Sequence, residues 1–215
     1  LKQNLLIDLH FLPNVEYFCA LLRHDVITLE GQESYVKGSF RNKAQIVTAN
    51  GMQLLSIPLK RGKHQQKNIQ AVEISYQENW QRQHWRSIKT AYQNAPFYEE
   101  YEGSLSSLLS FDTSTLWDYN LHILRGLLEI FQIECNIEVT KTYQKVATET
   151  VDLRHRIIPK NQDWSFPTMQ TIPYTQVFDD RQAFIPNASI IDLMFCKGPE
   201  SILLLEKMNH LMTST

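Results

Sequence analysis

Glycine is scarce, seven in 215 residues. No stretch reads as a Gly-rich loop after a strand, which excludes the dinucleotide fingerprint and the phosphate-cradling P-loop. Cysteine is scarcer still. Cys19, Cys135 and Cys196 are widely separated, odd in number and set in apolar surroundings, so free buried thiols in a reducing cytoplasm fit and a disulfide framework does not. No apolar run approaches the ~20 residues of a membrane span. Lys2, Asp8 and His10 interrupt the first twelve residues, which argues against a secretory leader. Charge of one sign is also missing: the net charge is −2, without the broad basic surface that nucleic acid requires. An anion site, if there is one, is local. Neither a His-x-x-x-His pair nor an Asp/Glu cluster with ligand spacing occurs, so no metal and no cofactor are expected; His155 beside Asp152 comes nearest to a ligand pair.

What is present is ordinary globular usage, 43% hydrophobic with an aromatic excess of 11%. That excess could supply an interface between copies, so an oligomer stays open. The length fits one domain over residues 1–215 with a sizeable core. Leu5–Leu9 reads as a short buried strand ended by Pro13. Val15, Phe18, Cys19, Leu21 and Leu22 then recur at helical spacing, and Val26–Leu29 follows as a return strand, a β-α-β opening with parallel strands. Asn50-Gly51 between alternating apolar residues predicts an antiparallel hairpin over Gln45–Val47 and Leu54–Leu59. Ile69–Tyr76 is expected as the next strand. Asn79 caps a helix to about Tyr92 or Asn94, Phe97–Leu109 forms another, and Leu116–Phe131 carries the broadest apolar face. Ile137–Tyr143 alternates like a strand, residues 152–186 lack periodicity, and two helices close the chain around Gly198-Pro199. The expected class is α/β: a mixed sheet with an antiparallel hairpin, packed by helices, in a single domain.

Two stretches invite chemistry. Tyr35–Lys43 packs cations, amide, hydroxyl and aromatic groups between two apolar runs. Extended, it would set Lys37, Arg41 and Lys43 on one face, either an anion site with Arg41 as a planar fork of donors or a solvated edge strand blunted by lysine. On the helix after Asn79, His84 neighbours Trp85, Lys89 and Tyr92. Either these groups line a site, or Trp85 and Ile88 are core and His84 is a satisfied interior ring.

Taken together, several motifs resemble one family. They are Leu12-Pro13-Asn14-Val15-Glu16-Tyr17-Phe18, Tyr35–Lys43, Ala49-Asn50-Gly51 before Leu55-Ser56-Ile57-Pro58, and His84-Trp85-Arg86-Ser87-Ile88. Further along come Asp152-Leu153-Arg154 with Ile158-Pro159-Lys160, then Tyr174–Phe178, Pro186–Asp192 and Gly198-Pro199. The chain resembles the WbqC-like family along nearly its whole length. It departs from the family's usual Gln-Pro opening, reading Leu9–Pro13, and carries Lys43 where Arg is usual. The resemblance implies a bacterial, cytoplasmic transferase of surface-polysaccharide (O-antigen-type) biosynthesis, with acyl or aminoacyl (glycine) transfer to a sugar as the activity. A non-catalytic module for a nucleotide-sugar or glycan phosphate is the alternative. Amide formation needs a proton acceptor and donors facing the developing oxyanion. His84 is the candidate base; Lys37, Arg41, Arg154 and Lys160 are candidates for an anionic group on a small or sugar-linked substrate; Tyr35 and Asn42 are candidates for polar contacts; and Trp85 or Tyr92 would form a wall against a sugar ring.

Overall fold

The structure, a computed structural model, describes residues 4–145, 150–159 and 171–210. The apolar opening forms β1 (Asn4–Ile7), α1 (Val15–Leu22) and β2 (Val26–Leu29), with β1 and β2 parallel in the register Leu5 to Ile27. Asn14 starts α1 as expected of an Asx cap, its side chain accepting the Tyr17 N–H at 3.0 Å. Two strands from distant sequence complete the sheet: β5 (Asn136–Val139) pairs with β2, and β6 (Thr150–Asp152) pairs with β1. The order is β5-β2-β1-β6, all parallel. Successive strands step away from β1 on one side, then β6 returns to its other side. The order therefore reverses between β1 and β6, where an open parallel sheet leaves a crevice at its carboxyl edge.

The hairpin is β3 (Lys43–Thr48) and β4 (Gly51–Ser56), paired from Lys43–Ser56 to Thr48–Gly51, and Gly51 takes the positive φ of 94° that the turn needs. It forms its own two-stranded sheet. The free side of β3 is already used: the Gln45 carbonyl accepts the Ser189 N–H at 2.7 Å, and the Val47 N–H meets the Tyr92 hydroxyl at 3.0 Å. Helices α2 (Trp80–Tyr92) and α5 (Ile190–Lys197) pack on β3. Helix α3 (Tyr98–Leu109) contacts α2, α4 (Leu116–Ile130) and α5, and α6 (Glu200–His210) lies on α1 and α5. One continuous apolar core joins both sheets to the helices. Among the described residues no helix is long and apolar enough to cross a membrane.

Two local expectations are corrected. Ile69–Tyr76 is not a strand: the Asn68 side chain accepts the Gln70 N–H at 2.8 Å and pulls Ile69–Ala71 into a 3₁₀ turn, after which only single bridges form, Glu73 to Thr115 and Ile74 to Leu59. Nor is Tyr35–Lys43 extended over its length. Gly38, at φ 79°, turns the chain so that Lys37 stays in solvent while Arg41 is driven inward to 1% exposure. Lys37, Arg41 and Lys43 therefore share no face.

Candidate functional site

The carboxyl ends of the parallel strands carry the charge. Asp8 follows β1 directly, Glu30 follows β2, Thr140 follows β5, and Arg154 and His155 follow β6. Asp8, 1% exposed, accepts the His155 backbone N–H on Oδ1 at 2.8 Å, bridging the two strands that flank the crevice. Its Oδ2 lies 3.1 Å from His10 Nε2 and 3.1 Å from Arg41 Nη2. Arg41 reaches Glu33 with both arms of its fork, Nε to Oε1 and Nη2 to Oε2, each at 2.6 Å. Its carbonyl accepts the Asn120 amide at 2.6 Å, which holds the turn against α4. His155 closes the group with Nδ1 3.2 Å from Arg41 Nη2 and Nε2 3.7 Å from Glu33 Oε2.

Burial would push the Asp8 carboxyl up, but the hydrogen bond from His10 and the Arg41 charge outweigh it and hold Asp8 far below the usual carboxylate range. Glu33 shares the same guanidinium and is displaced upward by its burial. Burial also pushes His10 down, so its ring is neutral, with Nε2–H donated to Asp8 and Nδ1 left without a partner. His155 differs from all of these. Its backbone is left-handed, φ 60°, and its side chain is 44% exposed. Because a guanidinium can only donate, Arg41 requires the lone pair of Nδ1, which places the proton of the neutral ring on Nε2. The site thus presents a half-exposed imidazole whose Nε2–H lies 3.7 Å from Glu33 Oε2, beyond hydrogen-bond distance, on a buried group of two carboxylates and one guanidinium.

A second arginine braces the first group. Arg154 donates from Nη1 to Glu30 at 2.8 Å and from Nε and Nη2 to Asp152 at 3.0 and 2.6 Å, with its guanidinium 5.0 Å from the Tyr143 ring centroid. Glu30 also accepts the Thr140 hydroxyl at 2.6 Å. The ends of β2, β5 and β6 are therefore tied by one wholly buried carboxylate. Asp8, Glu33 and His155 each offer an atom within 4.8 Å of the others, a separation a metal ion could span. Arg41 Nη2 already stands 3.1, 2.6 and 3.2 Å from the three, so a divalent cation would meet a fixed positive charge there.

The residues singled out from sequence fall into two places. Tyr35, Lys37, Arg41 and Asn42 lie around this turn. The Tyr35 hydroxyl donates to Asn42 Oδ1 at 2.9 Å, Asn42 Nδ2 donates to the Ile57 carbonyl at 2.9 Å, and Lys37 is exposed. Arg154 immediately precedes His155 but is engaged separately, by Glu30 and Asp152. His84, Trp85 and Tyr92 belong instead to the aromatic packing of α2. His84 lies between Phe11, at 5.8 Å, and Trp80, at 5.2 Å; Trp85 is half-buried against the core; and Tyr92 stacks on Phe195 at 5.2 Å. Lys160 lies outside the described residues. Sequence reasoning passed over Asp8, Glu30 and Glu33 as members of a site and met His155 only as a metal candidate. The available signal was an acidic residue directly after each of the first two short apolar strands, Asp8 after β1 and Glu30 after β2, the position that faces a ligand in parallel sheets.

Burial pushes His84 down to about 4, against an ordinary value of about 6.5. Between these values the unfolded chain binds a proton that the folded chain refuses. The stability from a neutral His84 is therefore complete above about pH 6.5 and is lost as pH falls towards 4, by about 3 kcal/mol. Urea midpoints across this window are expected to fall more steeply for the wild type than for His84→Gln. Parallel profiles would remove His84 as the cause.

A family model described as the WbqC-like protein family matches residues 9–163. The chain is 22% identical over 224 residues to an uncharacterized protein of Mycobacterium tuberculosis, Rv1507c, a similarity that covers 94% of this chain and 96% of the other. No solved structure matches.

Proposed function

The chain belongs to the WbqC-like protein family, and from that premise we propose that it is a cytoplasmic group-transfer enzyme of bacterial surface-polysaccharide assembly. It moves an acyl or aminoacyl group, such as glycine, onto a sugar-linked acceptor at the crevice between β1 and β6. The observation that carries the reading is His155: the exposed ring of an otherwise buried charge cluster, at the point where the strand order reverses. Acyl transfer builds negative charge on the carbonyl oxygen as the acceptor attacks, and a fixed donor at that oxygen lowers the barrier. Nε2–H of His155 is such a donor. Asp8 holds its backbone and Arg41 holds its tautomer, so little reorganisation is needed.

The test is product formation from nucleotide-sugars and activated acyl donors, followed by mass spectrometry. His155→Ala is expected to lower turnover on the order of hundredfold, and His155→Gln, which restores an N–H near the Nε2 position, to recover part of the loss. Both variants place a non-glycine residue at the same φ of 60°, so their difference reports the donor. Equal turnover in all three proteins would sink the assignment. A binding module is the second reading, favoured by one observation: both carboxylates nearest His155 are engaged by Arg41, so neither is free to take a proton. Sugar-nucleotide binding with no product from any donor class would select it.

A further inference from the structure

Beside the Arg41 turn lies a cavity of about 420 Å³ that the transfer reading does not use, between Tyr35 and Lys37 on one side and Leu59 to Gln66 on the other. We propose that this cavity is a phosphate subsite that takes the phosphate or pyrophosphate of a phosphorylated sugar or nucleotide. The proposal deepens the transferase reading by naming the class of its substrate.

Its size suits a small ligand, and its lining is one-sided in charge. Lys37, Lys63 and His64 face it together with the amides of Gln65 and Gln66, and among the described residues no acidic side chain lines it. The nearest acid along the loop is Glu73, which is engaged by Lys60 at 2.7 Å and Lys67 at 3.8 Å. Neither Lys37 nor Lys63 has a carboxylate within 4.0 Å among the described residues. Two lysines on one rim with no carboxylate partner make the local potential positive, which favours a polyanion. His64 completes this side of the wall, its ring edge-on to Tyr35 at 6.0 Å.

The back wall is held by hydrogen bonds at both ends of Tyr35. Tyr35 is 6% exposed, its N–H donates to the Lys67 carbonyl at 3.0 Å and its hydroxyl to Asn42. Asn42 adjoins Arg41, and Glu33, two residues before Tyr35, is the other partner of that arginine. A phosphate in the cavity would therefore sit on the same turn that orients His155. Lysines supply point charges and not a shape-matched fork, which suits a subsite that holds a charged handle while the remainder of the substrate reaches the crevice.

Titration calorimetry would use three probes: inorganic pyrophosphate, uridine diphosphate and glucose 1-phosphate, with uridine as the uncharged control. The wild type is expected to bind at least one phosphate probe and not uridine, with affinity falling as salt rises. In Lys37→Ala/Lys63→Ala that affinity is expected to drop at least about tenfold. Both side chains are exposed, so the melting temperature should hold. Arg82→Ala/Arg86→Ala removes the same charge from the exposed face of α2 and is expected to bind as the wild type does. Preference for uridine diphosphate over pyrophosphate would identify a nucleotide, and preference for glucose 1-phosphate a phosphosugar; either supports the subsite. No binding of any phosphate probe, or equal losses in the two double variants, overturns it. His155→Ala is expected to leave pyrophosphate binding intact, so failure of the subsite and failure of the transfer step give different results.

Discussion

Arg41→Met is expected to lose about 3–5 kcal/mol of stability near neutral pH. Its guanidinium is 1% exposed and answers two buried carboxylates at once, Asp8 at 3.1 Å and Glu33 at 2.6 Å. Removing it leaves those charges with only neutral partners, and the cost arises from charge stranded away from water more than from the missing hydrogen bonds themselves. The effect has a pH signature. Without the arginine both carboxyls are raised above their unfolded values, so the folded variant holds protons that the unfolded chain has released. The deficit relative to wild type then grows as pH rises from about 4, the unfolded carboxyl value, is complete above the raised folded values, and shrinks as acid neutralises the pair. Arg41→Lys should recover only part of the loss, since one ammonium cannot reproduce the two parallel bonds to Glu33. The triple variant Asp8→Asn/Glu33→Gln/Arg41→Met should recover more, because no ion remains to be buried. Urea unfolding at pH 4 and 7 checks all three. A wild-type midpoint for Arg41→Met would mean that the cluster contributes nothing to the fold.

Gly198→Ala is expected to cost a further 3–5 kcal/mol, or a melting temperature lower by roughly 10 °C, for two separable reasons. Gly198 ends α5 at φ 52° and ψ −127°, a conformation that side-chain-bearing residues avoid. A Cβ there would also stand 2.4 to 2.7 Å from three atoms of the Phe97 ring, so the ring or the helix end must move. The Phe97 N–H donates to the Phe195 carbonyl at 3.1 Å and anchors its backbone to α5, so relief requires the ring to turn about χ1 or the helix end to shift. Phe97→Ala/Gly198→Ala removes the collision and keeps the backbone strain. The Gly198 substitution should therefore cost less in the Phe97→Ala background than in the wild type. Differential scanning calorimetry of the four proteins gives the cycle, and a vanishing coupling term would dismiss the ring contact.

The elements readable from sequence were those whose determinants lie within a few residues. The β-α-β opening rests on Leu5–Ile7 and Val26–Leu29, the hairpin on Asn50-Gly51, and the start of α2 on the Asn79 side chain, which accepts the Arg82 N–H at 3.2 Å. Ile69–Tyr76 misled because an apolar pattern does not distinguish a ladder from an extended segment that crosses between two others. The site was legible only in its local half. Tyr35, Lys37, Arg41 and Asn42 stood out because their types crowd one short segment, whereas Asp8 meets His155 across 147 residues and Arg41 meets it across 114. His84 illustrates the converse: an imidazole between Trp80 and Phe11 and one at a crevice carry the same letter, and only the packing separates them.

By itself the amino-acid sequence determined the class of fold, the family and the cation-rich turn, because secondary structure answers to nearest neighbours along the chain and motifs are words in sequence. Which strand ends meet, which cation faces inward and which histidine reaches solvent were decided by tertiary structure alone. Burial and charge pairing act between groups adjacent in space, and pairing β6 to β1 brought together groups as far apart in sequence as Asp8 and His155, 147 residues.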